Sequence, residues 1–293
     1  ERYMKRVKKN TKNKKMVPIL IVLATLLVIS AALLIYIYTQ NYITVEYVDK
    51  ASNNVKSDEV TSVSPIVINN VLVGGVSDKG KWLSKDNLFG KANISKGTEV
   101  DMYGQKGKVG TFEIYSVSRD DEKGITYAIP LKDLADEEYV AISKSEDNIM
   151  IRGLTKLEVS DQDAKYVKKA LGKYRLFNNT VKVNEVYETY LNSDQKTRII
   201  SATSSGKNNF GVYSVVVYVE GNNARIMKYS YVKNTESSIN WPVYSIKFAC
   251  DLNKDGSYEV ILQEARELTM KYSIMERRGN KYYEVIGYSF NIK

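Results

Sequence analysis

The chain has no histidine and a single cysteine, Cys250, in 293 residues. Without histidine there is no Ser-His-Asp or Cys-His nucleophile, no imidazole general base and no imidazole metal ligand. One thiol forms no internal disulfide, and no zinc site can be built from Cys and His. Excess charge is also missing from most of the chain. The formal net charge is +9, but residues 1–16 carry eight basic side chains (Arg2, Lys5, Arg6, Lys8, Lys9, Lys12, Lys14, Lys15) against Glu1. That run accounts for +7 and leaves +2 for the other 277 residues. A near-neutral body gives no electrostatic footprint for nucleic acid, and no nucleic-acid partner is expected.

What the sequence does have is one long uncharged apolar run, Val17 to Tyr38, of 22 residues. At ~1.5 Å per residue a helix of that length spans roughly 33 Å, about one bilayer core. Pro18 falls where a first-turn proline is tolerated, and Tyr36, Tyr38 and Tyr42 gather at the far end as interfacial aromatics do. Ser30-Ala31-Ala32 is followed by more apolar residues, so the run does not read as a cleaved signal peptide. Residues 17–39 are therefore expected to span a lipid bilayer. The basic run before them puts the N-terminus in the cytoplasm and the rest outside the cell. A disulfide-free exterior points to a bacterial surface rather than to a small secreted eukaryotic domain. On that reading the sequons at Asn93 and Asn178 are chance matches.

The pattern along the chain predicts a mainly β protein. Residues 1–16 form a basic cytoplasmic tail, 17–39 a transmembrane helix, and the polar stretch 40–64 a stalk. Short alternating runs over 65–158 predict a small all-β domain, in which Gly74-Gly75, Lys79-Gly80, Gly104 and Gly107 read as turns and Trp82 as a core aromatic. Residues 159–293 predict one helix, near Gln162–Lys173, followed by an antiparallel meander of eight strands. Gly221-Asn222 and Gly279-Asn280 are its hairpin turns.

The stretch "DLNKDGSYE" sets Asp251, Asn253 and Asp255 at alternate positions before Gly256, with Glu259 three residues on. A hard cation takes six to eight oxygens, and a glycine permits the bend that converges them. The carbonyl of Ser257 would add another oxygen. The twelfth position of an EF-hand would need a bidentate Glu and holds Leu262, so this is not an EF-hand. The same stretch can also be a solvated Asx-rich turn.

This strand–loop–strand segment resembles the calcium hairpins of FG-GAP or VCBS-type β-propeller repeats. That likeness implies Ca²⁺ held by Asp251, Asn253, Asp255, the Ser257 carbonyl and Glu259. "KGTEVDMYGQKGKVGTFEI", residues 96–114, resembles the middle of bacterial SH3-like wall-binding modules. The order of anchor, stalk, barrel and single calcium hairpin resembles that of uncharacterised membrane-anchored surface proteins of Gram-positive bacteria. The resemblance implies a cell-envelope location but not an activity; the chain is expected to be a non-catalytic binding protein with a cell-wall or protein partner outside. Two alternatives stay open: a transmembrane sensor with an extracellular sensing domain, and a His-free cell-wall hydrolase. For the latter, Ser193-x-x-Lys196 fits S-x-x-K and Ser238-x-Asn240 fits S-x-N, but no K-T-G follows.

Overall fold

A strand whose residues are apolar on both faces must be covered on both sides, and several strands of this chain are of that kind. In the computed structural model, residues 29–30, 62–88, 94–130, 138–173, 180–191, 195–205, 212–232 and 242–292 are described. The chain divides into two units, Glu1–Thr44 and Val45–Lys293. Of the first, Ile29 and Ser30 are helical; the remainder of the predicted membrane span lies outside the described residues. Among the described residues no helix is long and apolar enough to cross a membrane.

The second unit begins with a six-stranded antiparallel barrel: β1 (Val63–Ile68), β2 (Val71–Ser77), β4 (Glu99–Gly104), β5 (Gly107–Asp120), β6 (Ile125–Pro130) and β7 (Val140–Ser143). The strands run β1-β7-β4-β5-β6-β2, and β1 pairs with β2 to close the ring. A short β3 (Trp82–Ser84) adds to β2 and leads into a single helical turn, α1 (Lys85–Leu88). Closure removes the exposed edges of an open sheet. Val67, Leu72, Val100, Met102, Ile114 and Ala141 cluster together with Leu83 and Leu88. The β1–β2 hairpin turns on Asn69 and Asn70 at φ 47° and 69°, the left-handed pair that a two-residue type I′ turn requires. Tyr139 braces it: its backbone N–H donates to Asn69 Oδ1 at 2.9 Å, and its hydroxyl accepts from the Asn70 N–H at 2.9 Å.

Next come β8 (Met150–Arg152), β9 (Thr155–Leu157) and the helix α2 (Asp161–Lys173). Eight long strands follow in meander order: β10 (Thr180–Thr189), β11 (Thr197–Ser205), β12 (Val212–Glu220), β13 (Asn223–Val232), β14 (Val243–Asp251), β15 (Glu259–Ala265), β16 (Thr269–Arg278) and β17 (Lys281–Asn291). They form two five-stranded antiparallel sheets, β13-β12-β11-β10-β9 and β17-β16-β15-β14-β8. Thus β8 and β9, which precede residue 159, complete the sheets of the residues beyond it.

Four apolar clusters fill the spaces between layers. One lies between α2 and the first sheet, with Val167, Ala170 and Leu171 on Val186, Val215 and Val217. A second joins the two sheets through Ile199, Val216, Met227, Ile246, Leu262 and Met275. A third packs the second sheet against the barrel wall, with Ile66, Ile68 and Val73 on Phe248, Ile261 and Ile274. The fourth is the barrel cluster. The β14–β17 sheet is thus buried on both faces.

Polar groups tie the layers as well. Trp82, read from sequence as a core aromatic of the barrel, is buried in the barrel-to-sheet layer and donates its indole N–H to Glu276 Oε1 at 2.7 Å. Between the sheets, the fully buried Lys228 ammonium donates to Ser273 Oγ and Glu284 Oε2, each at 2.6 Å, and Lys271 reaches Glu284 Oε1 at 3.0 Å. Ser201 Oγ donates to the Tyr244 carbonyl at 2.6 Å, and Glu185 Oε1 accepts the Ile246 N–H at 2.6 Å beside a β-bulge. Lys169 and Lys173 of α2 donate to the carbonyls of Asn222, in the turn before the outer strand β13, and Ala224, on that strand, which blunts an edge open to further pairing.

Gly74-Gly75 is not a turn: both residues lie within β2. A Cβ at Gly74 would stand 2.7 Å from Ile286 Cδ1 and from the Leu83 carbonyl; one at Gly75 would stand 2.7 Å from Leu88 Cδ2. These glycines let the barrel wall approach its neighbours closely. Gly74→Ala is therefore expected to cost about 1–3 kcal/mol by overpacking, read as a lower melting temperature in thermal denaturation. Gly172→Ala, where a Cβ meets nothing within 4 Å, is expected to raise it slightly through helix propensity.

Candidate functional site

The turn between β14 and β15 carries the acidic cluster. Its two ends are fixed by the sheet, since Cys250 pairs with Glu259 across the hairpin and Asp251 pairs with Met150 of β8. Lys254 at φ +59° and Gly256 at φ +85° bend the loop through left-handed conformations. Leu252 and Tyr258 anchor it by burying into the clusters on opposite faces of the sheet.

Within the turn, carboxylates gather backbone N–H groups. Asp251 Oδ1 accepts from Asp255 N at 3.1 Å and its Oδ2 from Gly256 N at 3.0 Å. Asn253 Oδ1 accepts from Asp255 N at 3.2 Å, while Asn253 Nδ2 donates to Asp255 Oδ2 at 3.0 Å. Asp255 Oδ1 accepts from Ser257 N at 2.8 Å. These are the bonds of an Asx-rich turn. Lys254 leaves the loop to donate to Ser145 Oγ and the Asp147 carbonyl, each at 2.6 Å, and so ties the turn to the segment that follows the barrel.

Glu259 is different. It is 0% exposed, its Oε2 accepts the Leu252 N–H at 2.8 Å, and its Oε1 has no hydrogen-bond partner. Leaving a buried acceptor unsatisfied costs about 1–3 kcal/mol, and more if it is charged. Burial, followed by the nearby Asp255, Asp251 and Glu276 charges, pushes this carboxyl up to about 9, against the opposing Leu252 hydrogen bond. Burial also raises Asp251, helped by the Asp255 charge and opposed by the Gly256 N–H. At neutral pH Glu259 therefore keeps its proton unless a cation takes the proton's place.

The structure thus brings Asp251, Asn253, Asp255 and Glu259 to one turn, with Ser257 on its closing limb. All their donor atoms are oxygens, and the orphaned Glu259 Oε1 is the feature that suits a hard cation. The set is not preassembled: among the described residues no group of three or more His, Cys, Asp or Glu side chains stands close enough to hold a metal ion. The residues fit calcium in kind, and binding would require the turn to close around it.

Of the S-x-x-K and S-x-N motifs, Ser193, Ser238 and Asn240 lie outside the described residues. Lys196 is exposed and paired with Glu188 at 2.7 Å. A Ser–Lys pair does exist elsewhere, Ser273 with Lys228. There the ammonium donates to the hydroxyl, and the hydroxyl donates to Glu284 at 2.9 Å. Both residues are buried between sheets, so this pair is a polar tie and not an opened nucleophile. Sequence reasoning missed it, along with the burial of Glu259 and the contact of Lys254 with the segment that follows the barrel. No known protein family, curated protein or solved structure matches the chain.

The Glu259 geometry has a pH signature. Folding raises this carboxyl from its ordinary 4.5 to about 9, so over that interval the folded chain holds a proton that the unfolded chain has released. Its contribution is complete below pH 4.5 and is lost as pH rises through about 9. In chelator-containing buffer the melting temperature is expected to fall with rising pH across this window, and Glu259→Gln to flatten that fall. An unchanged slope in the Gln variant would remove Glu259 as its source.

Proposed function

We propose that this chain is a single-pass, membrane-anchored binding protein of the bacterial cell envelope, non-catalytic, with its β-rich body outside the cell and its acidic turn stabilised by Ca²⁺. The observation that carries the location is the basic run of residues 1–16 set directly before the uncharged Val17–Tyr38 segment. A layered β body without disulfides suits a rigid extracytoplasmic module that presents surfaces to a cell-wall or protein partner. Calcium is abundant outside cells, where weakly binding modules use it structurally.

The role of the ion on this reading is to pin a hairpin. Asp251, Asn253, Asp255, the Ser257 carbonyl and Glu259 would hold it. The ion would replace the proton on Glu259 and relieve repulsion among the three acids. Because Lys254 in the same turn reaches Ser145 and Asp147, fixing the turn would also fix the contact between the β14–β15 hairpin and the segment leaving the barrel.

Two measurements test the reading. Protease added to intact cells is expected to digest the body beyond about residue 40; its protection would overturn the orientation. Millimolar calcium is expected to stabilise the purified protein by mass action, by about 2.7 kcal/mol at a hundredfold excess over Kd, read as a higher melting temperature. Asp251→Ala is expected to lose most of that gain. The absence of any calcium-dependent shift would leave the turn a solvated one.

A further inference from the structure

A cleft of about 350 Å³ opens on the α2 side of the first sheet, where the helix begins beside the ends of β10, β11 and β12. Its position follows from the helix cap. Ser160 and Asp163 form the carboxylate half of a capping box: the Ser160 N–H and hydroxyl both donate to Asp163 Oδ2, at 2.9 and 2.6 Å, while the Asp163 N–H donates to the Ser160 carbonyl at 3.0 Å. The other oxygen, Asp163 Oδ1, receives Arg198 Nη1 from β11 at 2.8 Å. Arg198 is thereby held at the cleft with its side chain 32% exposed and with donors left over from the one given to Asp163. Gln162 and Tyr166 line the helix side, Glu188 and Lys196 the strand side, and Val219 gives a buried apolar surface.

The charges in this cleft cancel. Asp163 neutralises Arg198, and Glu188 neutralises Lys196 at 2.7 Å. A free oxyanion would have to displace one of these carboxylates, and a free cation one of the basic groups. What the cleft offers without breaking a pair is hydrogen-bonding capacity beside one aromatic ring, that of Tyr166. Gln162, Glu188 and Arg198 are planar forks, each setting two polar atoms side by side, as two neighbouring ring hydroxyls are set. Tyr166 adds an aromatic ring with a hydroxyl. The lining is mostly polar, with Gln162, Glu188, Lys196 and Arg198 set around the Tyr166 ring and the buried Val219, and the volume lies within the usual small-ligand range of about 300–1,000 Å³.

We propose that this cleft binds the ring of an uncharged saccharide. The inference goes beyond the envelope reading and is independent of calcium, since the acidic turn belongs to the other sheet. It is tested by saturation-transfer NMR on the full chain, with glucose and N-acetylglucosamine as probes and inorganic phosphate and dialanine as controls. Saccharide signals are expected, with affinity falling about tenfold or more in Gln162→Ala and in Glu188→Gln, while melting temperatures hold. Both variants are needed because Glu188 also pairs with Lys196, whereas Gln162 is exposed and its loss leaves the fold alone. No saccharide signal, a signal unchanged in Gln162→Ala, or an equal response to phosphate or dialanine would each overturn the assignment.

Discussion

Everything in the second unit depends on one sheet having no solvent face. The β14–β17 strands pack against the first sheet on one side and the barrel wall on the other. Burial of that kind supplies the apolar driving force, about 25 cal/mol per Å² removed from water. It also demands that each carboxylate on those strands find its partner inside the protein. Glu276 finds Trp82, and Glu284 finds Lys228, Lys271 and Ser273. Glu264 takes Arg266 at 2.8 Å; its second oxygen has no hydrogen bond but has the Lys228 ammonium 3.8 Å away.

Glu259 lies on the same sheet under the same demand and is met only halfway. One oxygen receives a backbone N–H; the other receives nothing, and among the described residues no ion pair reaches it. Two more acids stand in the adjoining turn. A proton removes the buried charge at neutral pH but leaves Oε1 without a partner, and a divalent cation would meet both needs. The candidate site is thus a consequence of the fold: a sheet covered on both faces leaves one carboxyl short of a partner at the strand end where the chain turns.

Much of this was legible in the sequence. The long alternating runs gave eight strands in order, the apolar spacing placed the helix near Gln162–Lys173, and the Asp-Asn-Asp-Gly spacing located the turn. The layering was not legible, because alternation reports which residues share a face and not what covers it. Gly74-Gly75 looked like a turn because glycine marks both bends and close approaches; only the positions of Ile286 and Leu83 separate the two. Lys228 was hidden by a bulge. Ala224, Ile226, Lys228 and Ser230 fall on one face by strict alternation. Yet the register shift opposite Val216 and Val217 turns Lys228 and Ser230 toward the second sheet, while Ala224 and Ile226 face the helix. The Arg198 cleft draws on three strands and a helix, which no local pattern connects.

Calcium titration by calorimetry at pH 7, in buffers of different ionisation enthalpy, tests the central claim most directly. If Glu259 holds a proton that the ion replaces, binding at one site per chain will release about one proton, and Glu259→Gln will abolish that release. Calcium binding without proton release, or no binding at all, would contradict the account.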